Sequence, residues 1–291
     1  MTKKVIVITG PTASGKTGLA IKLAKLFNGE IISADSRAIY KNIDIASAKP
    51  SLEEREGVPH WGFDLVEPGE RFTAADFKEY AYKKIEDILS RGKNPFLVGG
   101  TGLYIDAVLY DYSFGSEADE ELRADLNRKS IEELQGEVLR LGLKMPENYK
   151  NKRYLIRAIE RHKSGRENSC IKNYDFDFLV VGITTKKEDL IKRIKKRNEL
   201  FFSSGIIEEF NRNRKLYGTN SEAMTANAYR IIQEYQNGNI SKRMLIDKMN
   251  TSDWRLAKRQ ITFMKRNRDI IWLDLDKAEQ FLTTEISKNS V

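Results

Sequence analysis

The stretch VIVITGPTASGKTGLA, residues 5–20, decides the fold of this chain. Its first four residues form an aliphatic run typical of a buried strand, and GPTASGKT, residues 10–17, has the spacing G-x-x-x-x-G-K-[ST]. Apolar residues then recur at helical spacing in GLAIKLAKLF, so the glycine-rich loop should lead into a helix N-terminus. This order of strand, loop and helix predicts a P-loop that holds a phosphate group.

The predicted phosphate loop has a role for each kind of residue in it. Successive backbone N–H groups would point at the anion, Lys16 would reach its oxygens, and the Thr17 hydroxyl would bind Mg²⁺. The alternative is an ordinary glycine turn between a strand and a helix. The motif recognises a di- or triphosphate, ATP included, and leaves the attached group open. The loop residues are Gly10, Pro11, Thr12, Ala13, Ser14, Gly15, Lys16 and Thr17.

Composition describes an ordinary globular protein. The chain has 291 residues, of which 40% are hydrophobic and 32% are charged. The single cysteine, Cys170, excludes an intramolecular disulfide, and two histidines argue against a zinc cluster, so any metal should be oxygen-bound. No signal-peptide core or membrane-length apolar segment is evident, so we expect a cytoplasmic protein without a membrane partner.

Charge is unevenly distributed along the chain. Residues 1–120 contain 15 Lys and Arg against 18 Asp and Glu, which leaves 35 against 24 for residues 121–291. A basic second half beside a phosphate-binding first half favours a polyanionic partner such as a nucleic acid. A lysine-rich solvated surface is the alternative.

The early chain alternates strands and helices, which predicts an α/β fold with a P-loop NTPase-like parallel sheet. We expect strands at residues 5–9, 30–34 and 95–98 and helices at 17–27 and 73–91. Each strand ends in a polar loop, and ligands of open α/β sheets bind at the carboxyl ends of strands. The three loops, GPTASGKT, DSRAIY and GGTGLY, should therefore line one crevice.

From about residue 116 the pattern changes to consecutive helices, and strand character returns at DFLVVGITT, residues 177–185. A helical block between strands predicts an inserted helical subdomain at residues 116–172. The catalytic core would then comprise residues 1–115 and 173–291.

Two polar residues are candidates for chemistry in the predicted crevice. Asp35 could bind Mg²⁺, act as a general base, or cap the next turn. Thr101 could hydrogen-bond a leaving oxygen or a base nitrogen, or could cap the following helix. The glycines around Thr101 would let the backbone approach a ligand closely.

Basic residues recur at helical spacing in the later chain. Basic residues with aromatic side chains among them suit binding of single-stranded RNA, because unstacked bases pack on the rings and phosphates contact the cations. Solvated charged faces are the alternative. The residues are the pairs Arg153 with Arg157 and Arg193 with Arg197, and Lys258 with Arg259 between Trp254 and Phe263.

These segments together resemble the tRNA dimethylallyltransferase family, also called tRNA isopentenylpyrophosphate transferases. The resemblance rests on GPTASGKT, ISADSRAIYKNIDIASAKP, LVGGTGLY, EELR, RYLIRAIE and LAKRQITF in this order, and it spans about residues 5 to 273. It implies a P-loop core with a helical insertion, and transfer of a dimethylallyl group to N6 of an adenine beside the anticodon of tRNA. The diphosphate of dimethylallyl diphosphate would then occupy the loop, with Mg²⁺ as cofactor.

The resemblance also implies residues that contact tRNA, and we expect a monomer that binds the anticodon stem-loop. Lys16, Asp35 and Thr101 are the expected catalytic residues. Two positions depart from the family pattern: Ala228 stands at a common glycine, and Phe263 stands at a common tryptophan. The implied tRNA contacts are Asp35, Ser36, Arg37, Ala38, Thr101, Arg123, Arg153 and Arg157, to which we add Lys258 and Arg259.

Two other functions fit the motif. An ATP-dependent kinase of a nucleoside or small molecule would use the same P-loop, aspartate and Mg²⁺. An RNA-binding protein with a structural nucleotide would give Asp35 and Thr101 no task.

Overall fold

A computed structural model describes residues 4–112, 120–163, 176–219, 221 and 223–288 of the chain. Within these residues a parallel six-stranded sheet has the strand order β3-β2-β4-β1-β5-β6. The strands are β1 (Lys4–Thr9), β2 (Gly29–Ser33), β3 (His60–Trp61), β4 (Asn94–Gly99), β5 (Asp177–Ile183) and β6 (Ile271–Leu273).

Helices follow most of the strands and cover the sheet. Those of the sheet-containing part are α1 (Lys16–Leu26), α2 (Ala74–Ser90), α3 (Gly102–Leu109), α7 (Lys187–Ser203), α8 (Ile206–Tyr217), α9 (Asn227–Gln236), α10 (Lys242–Met264) and α11 (Leu275–Ser287). Three more, α4 (Glu120–Arg128), α5 (Ile131–Arg140) and α6 (Lys152–Lys163), lie between α3 and β5.

The central strand β1 shows why the sheet is buried. It pairs with β4 on one side and β5 on the other, and the side chains of Val5–Thr9 are all buried. A strand covered on both faces needs a continuous apolar run, which VIVI supplies. The parallel α/β sheet predicted from the sequence is confirmed.

Local signals place the helix ends. Thr73 accepts a hydrogen bond from the Asp76 N–H, and Asp76 accepts one from the Thr73 N–H, so the predicted capping box precedes α2. Gly92 follows this helix with φ of 68°, a left-handed conformation that favours glycine. Both ends of the long predicted helix are therefore confirmed to within a residue.

The edge strand β3 was not predicted. Its two residues pair with β2, and the Trp61 indole N–H donates to the buried carboxylate of Glu30 at 2.8 Å. Arg91 and Lys93 also bind this carboxylate and lower its pKa to about 2, with the Arg91 hydrogen bonds contributing most. Two residues are too few for a strand pattern, so only tertiary pairing defines β3.

The chain divides into two compact units, Met1–Leu109 with Asn173–Val291, and Tyr110–Lys172. Helices α4 to α6 belong to the second unit and enclose their own apolar core, formed by Leu126, Leu134, Val138, Leu155, Ile156 and Ile159. The second unit begins six residues before the predicted insertion, which was placed at 116–172. The residues on either side of both predicted boundaries lie outside the described part of the chain.

Over the described residues, no helix has the length and apolar character that crossing a membrane requires.

Candidate active site

The loops that follow β1, β2 and β4 meet at the carboxyl edge of the sheet. The Thr101 N–H donates to the Ala34 carbonyl at 3.2 Å, and the Ser36 N–H donates to the Thr101 hydroxyl at 3.0 Å. The predicted crevice is therefore present, and Thr101 joins two of its loops. This hydrogen bond to Ser36 was not among the roles expected for the Thr101 hydroxyl.

The P-loop turns tightly before α1. Gly15 immediately precedes the helix with φ of 93°, and the Ser14 N–H donates to the Pro11 carbonyl at 3.3 Å. The Thr12 N–H donates to the Gln260 side chain of α10 at 2.8 Å. This N–H was expected to face a phosphate, and Gln260 occupies it instead.

A first cavity of about 430 Å³ opens beside the P-loop. Thr12, Ala13, Gly15, Lys16 and Thr17 line it, whereas Gly10, Pro11 and Ser14 do not. Its wall also contains cationic side chains and an apolar region, which suits an anion attached to a hydrocarbon group. The cationic residues are Lys49, Arg193, Lys196 and Arg197, and the apolar ones include Ala20, Ile31, Ala38, Phe63, Val98 and Leu200.

A second cavity of about 250 Å³ adjoins the first. It is lined by Ser36, Arg37 and Thr101 on the sheet side and by residues of α9 and α10 on the other. Six residues line both cavities, so the two spaces meet at one wall: Thr12, Lys16, Asp35, Ser47, Ala48 and Arg197.

Lys16 lies at this shared wall. Its Nζ donates to the Pro11 carbonyl at 3.2 Å. Burial lowers the pKa of Lys16 to about 8; the nearby Asp35 opposes this shift, and Arg197 adds to it. Near neutral pH the side chain is a desolvated cation, so a bound phosphate oxygen would be its natural counter-ion.

Asp35 serves the local turn and faces both cavities. Its Oδ1 accepts the Arg37 N–H at 2.8 Å, so the turn-capping interpretation of Asp35 is correct. The same side chain lines the first and second cavities. Because only Oδ1 holds the turn, capping is compatible with a ligand at the other carboxylate oxygen.

The glycines around Thr101 also allow close packing within the protein. A Cβ on Gly99 would lie 2.1 Å from the Ala34 carbonyl oxygen, and one on Gly100 would lie 2.4 Å from the Gln260 amide. A Cβ on Gly102 would lie 2.3 Å from the Phe263 ring. These glycines therefore allow close packing against the protein itself, and Gly99 also lines the first cavity, so the predicted ligand approach stays a prediction.

Arg193 and Arg197 contact the P-loop, whereas their spacing alone suggested a face for RNA. Arg193 donates to the Ser14 carbonyl at 3.0 Å, and Arg197 binds the Thr12 hydroxyl. Arg197 also pairs with Asp253 at 2.6 Å. Helix α7 thus presents these two arginines to the P-loop, where they add positive charge to the first cavity.

The basic pair on α10 is exposed, and Arg259 lines the second cavity. The aromatic side chains beside the pair make packing contacts: Trp254 packs on the cluster of Leu190, Ile194 and Ala257, and Phe263 lies against Gly102. These two rings are therefore not the free stacking surfaces that their interleaving with Lys258 and Arg259 suggested.

In the second unit, arginines from α4 and α6 lie close together. Arg123 pairs with Glu160 at 3.0 Å. The pKa of Arg157 is lowered, first by burial and then by the neighbouring Arg153, Arg123 and Arg161. Crowded like charges of this kind suit an anionic partner, and the tRNA contacts expected here stay a prediction.

The two departures from the family pattern fit their surroundings. Ala228 lies in the first turn of α9 and lines the second cavity, and alanine is well suited to a helix. Phe263 packs on Gly102, so its ring has a structural role.

Comparison with known proteins identifies the group to which the chain belongs. A model of IPP transferase matches residues 38–267, and a model of isopentenyl transferase matches residues 3–61. The chain belongs to the IPP transferase family. Among curated proteins, the tRNA dimethylallyltransferase of Staphylococcus epidermidis is 37% identical over 100% of this chain and 94% of its own length. That of Acetivibrio thermocellus is 38% identical over 94% of this chain and 93% of its own length.

Solved structures of IPP transferase relatives share the fold. The tRNA isopentenylpyrophosphate transferase of Bacillus halodurans superposes with a TM-score of 0.75 at 32% identity, covering 99% of this chain and 98% of its own. A eukaryotic dimethylallyltransferase, described as acting on tRNA, superposes with a TM-score of 0.79 at 26% identity, covering 94% of this chain and 74% of its own. The resemblance inferred from the sequence is confirmed.

Two residues of this site were not singled out from the sequence. Gln260 lies within the LAKRQITF segment, and its contact with Thr12 spans 248 positions of sequence. Lys49 lies in AKP and lines the first cavity. Both residues lie in segments that resemble the family, and this was the only signal in the sequence. The residue pattern alone did not predict what either side chain contacts.

Proposed function

We propose that this protein transfers a dimethylallyl group from dimethylallyl diphosphate to N6 of adenine 37, next to the anticodon of tRNA, and releases diphosphate. The observation that carries the proposal is the shared wall, where Lys16 and Asp35 face both a phosphate-loop cavity and a second cavity. A donor in the first cavity and an acceptor in the second would meet at this wall. The names of the relatives, tRNA dimethylallyltransferases, support the same reaction.

The first cavity would hold the donor. Lys16, Arg193 and Arg197 supply positive charge for the diphosphate, and the apolar wall would receive the five-carbon chain. Because the leaving group departs as a polyanion, cations fixed around it lower the barrier to its departure.

Mg²⁺ is the proposed cofactor, and the side chains present fit it. Thr17 places a hard hydroxyl oxygen on the wall of the same cavity. Mg²⁺ commonly takes one or two protein oxygens and completes its shell with phosphates and water. When bound, it would neutralise charge on the departing diphosphate.

The second cavity would receive the adenine. Leaving the base stack costs a few kcal/mol, less in a loop than in a duplex. The N6 lone pair would form a bond to C1 of the dimethylallyl group while the bond from C1 to the diphosphate oxygen breaks. Asp35 would accept the N6 proton, and Thr101 would hold Ser36 and its loop in place.

The kinase alternative uses the same loop, but the relatives and structures described above carry transferase names, so it is not favoured. The non-catalytic RNA-binding alternative is weakened in the same way. The monomeric state and the cytoplasmic location stay predictions.

Mass spectrometry of nucleosides from tRNA, incubated with the protein, dimethylallyl diphosphate and Mg²⁺, tests the proposal. We expect adenosine to gain one C5H8 unit, and ADP not to form from ATP. ADP formation without C5 transfer would decide for a kinase. The control is a transcript with guanosine at position 37, which should gain nothing.

A further inference from the structure

A buried carboxylate outside the shared wall holds the loop of residues 43–49, called here the 43–49 loop. Glu209 on α8 is 2% exposed. Its carboxylate accepts three consecutive backbone N–H groups, from Asp44 at 2.8 Å, Ile45 at 2.7 Å and Ala46 at 3.0 Å. Hydrogen bonds to a charged acceptor are among the stronger ones in proteins, so three of them fix this segment.

A fourth donor ties the same carboxylate to another helix. The Tyr229 hydroxyl on α9 donates to Glu209 at 2.7 Å. Asn213 donates to the Tyr229 hydroxyl at 3.0 Å and to the Asn42 carbonyl at 2.7 Å. Burial and the charge of Glu209 raise the pKa of Tyr229, so its hydroxyl remains a donor.

The other side of the 43–49 loop is held by a buried cation. The Lys49 side chain is 3% exposed, and its Nζ contacts Asp44 at 2.9 Å and Asp64 at 2.6 Å. It also donates to the Tyr40 carbonyl at 2.8 Å. Lys49 thus donates its hydrogen bonds to groups of the protein, although its side chain lines the first cavity.

The 43–49 loop forms part of the wall where the two cavities meet. Ser47 and Ala48 line both cavities, and Ala46 lines the second. Helix α9, which carries Tyr229, lines the second cavity through Asn227, Ala228 and Ile231, together with the preceding Ala226. Glu209 therefore connects the shared wall to the helix on the acceptor side.

We propose that Glu209 is a positioning residue, which sets the 43–49 loop and α9 at the spacing that brings the two substrates together. The role rests on the proposed function, because it concerns alignment for prenyl transfer. A misplacement of about 1 Å can lower a rate by on the order of 100-fold, so anchoring of this wall matters for turnover. A merely structural anchor would affect unfolding and leave turnover of the folded protein unchanged.

Glu209→Gln is the informative variant. The amide keeps the shape, but it has one acceptor oxygen and places an NH2 group among N–H donors. The matched control is Glu208→Gln, the same change at the exposed neighbouring position on α8. Tyr229→Phe removes the link to α9, leaves the carboxylate and provides a second route if Glu209→Gln does not fold.

Two measurements are made on each variant at a temperature where it is folded. Hydrogen–deuterium exchange without substrate reports the amides of residues 44–46, which should exchange about tenfold faster in Glu209→Gln, the effect of losing one typical hydrogen bond. Steady-state prenyl transfer should show kcat lowered by on the order of 10-fold or more, with KM values changed less. Tyr229→Phe should shift both readings in the same direction by less.

Exchange and kcat that match those of Glu208→Gln would overturn the proposal, as would faster exchange with unchanged kcat. If Glu209→Gln does not fold, the same two criteria applied to Tyr229→Phe decide. Wild-type protein that forms no C5 product would refute the proposed function and the positioning role with it, while the exchange data would still report whether Glu209 anchors the loop.

Discussion

At the scale of single residues, burial affects the charge of Lys16, whereas a local hydrogen bond holds Asp35. Lys16 lies in a site where burial disfavours its charge. Asp35 accepts the Arg37 N–H and keeps room for a ligand on the shared wall. Lys16 therefore gives a prediction about diphosphate binding, and Asp35 gives one about the chemical step.

The affinity for diphosphate should depend on the protonation of Lys16. With a pKa lowered to about 8, Lys16 is charged below this pH and loses its charge above it, so binding of the anion should weaken as pH rises. Well above the pKa the loss approaches about tenfold per pH unit for one linked proton. Isothermal titration calorimetry with inorganic diphosphate between pH 7 and 9.5 measures it.

The control for this pH effect is Lys16→Met. It should bind diphosphate more weakly at pH 7 and lack the steep decline above pH 8. Ionisation of diphosphate itself acts in the opposite direction, because its negative charge grows with pH. A variant that declines as steeply as the wild type would show that another group is responsible.

Asp35→Asn should impair chemistry more than binding. The amide oxygen can still accept the Arg37 N–H, so the turn should persist, but the side chain can no longer take a proton. We expect kcat for prenyl transfer to fall by on the order of 10²–10⁴-fold, the range for loss of a general base. Single-turnover kinetics measures this loss. Filter binding should give an unchanged affinity for tRNA. A fully active variant would show that Asp35 is not the general base.

At the scale of secondary-structure elements, α7 is the clearest case of a helix whose role depends on its packing. Its apolar face, Leu190 and Ile194, packs with Ala257 of α10 and brings Ala13 of the P-loop into the same cluster. That packing turns Arg193 and Arg197 toward the P-loop. The helix therefore completes the first cavity from a part of the chain remote from it in sequence.

Arg197→Gln should weaken use of the donor. The change removes a charge that binds Thr12 and lines both cavities. Hydrogen bonds to charged groups contribute about 1.5–3 kcal/mol, so kcat/KM for dimethylallyl diphosphate should fall roughly 10- to 100-fold. The matched control is Lys195→Gln on the exposed face of the same helix, which should behave like the wild type. Equal losses in both variants would show that the overall positive charge of the helix, and not the position of Arg197, is responsible.

At the scale of the whole molecule, the chain combines a P-loop unit with a separate helical unit. The second unit has its own core and carries the clustered arginines of α4 and α6. A phosphate-rich partner with an extended backbone is the kind of ligand that such clusters bind.

Arg153 and Arg157 changed together to Ala should weaken tRNA binding and reduce its salt dependence. Each lost phosphate contact lowers the slope of log affinity against log salt by about 0.7–0.9, so the pair should lower it by about 1.4–1.8. Affinity measured between low and physiological salt gives the slope. Arg140→Ala, on α5 of the same unit, serves as control, and an unchanged slope in the double variant would place the RNA elsewhere.

The sequence alone determined much of this protein. VIVI, the GPTASGKT spacing and the capping box at Thr73 act within a few residues, so the strand, the phosphate loop and the helix ends could be read without a structure. The parallel sheet followed from the alternation of strands and helices, and the family followed from the order of the motifs. Each of these depends on local pattern or on short-range hydrogen bonds.

Only the tertiary structure decided how the shared wall is built. The Thr12 hydroxyl accepts a hydrogen bond from Arg197 across 185 positions, and the Thr12 N–H donates to Gln260 across 248. Glu209 accepts the Asp44 N–H across 165 positions. The spacing of Arg193 and Arg197 defines a helix face, but the packing of the neighbouring Leu190 and Ile194 decides that this face meets the P-loop. Periodicity gives the direction of a side chain relative to its own helix, whereas its partner depends on where the whole chain places that helix.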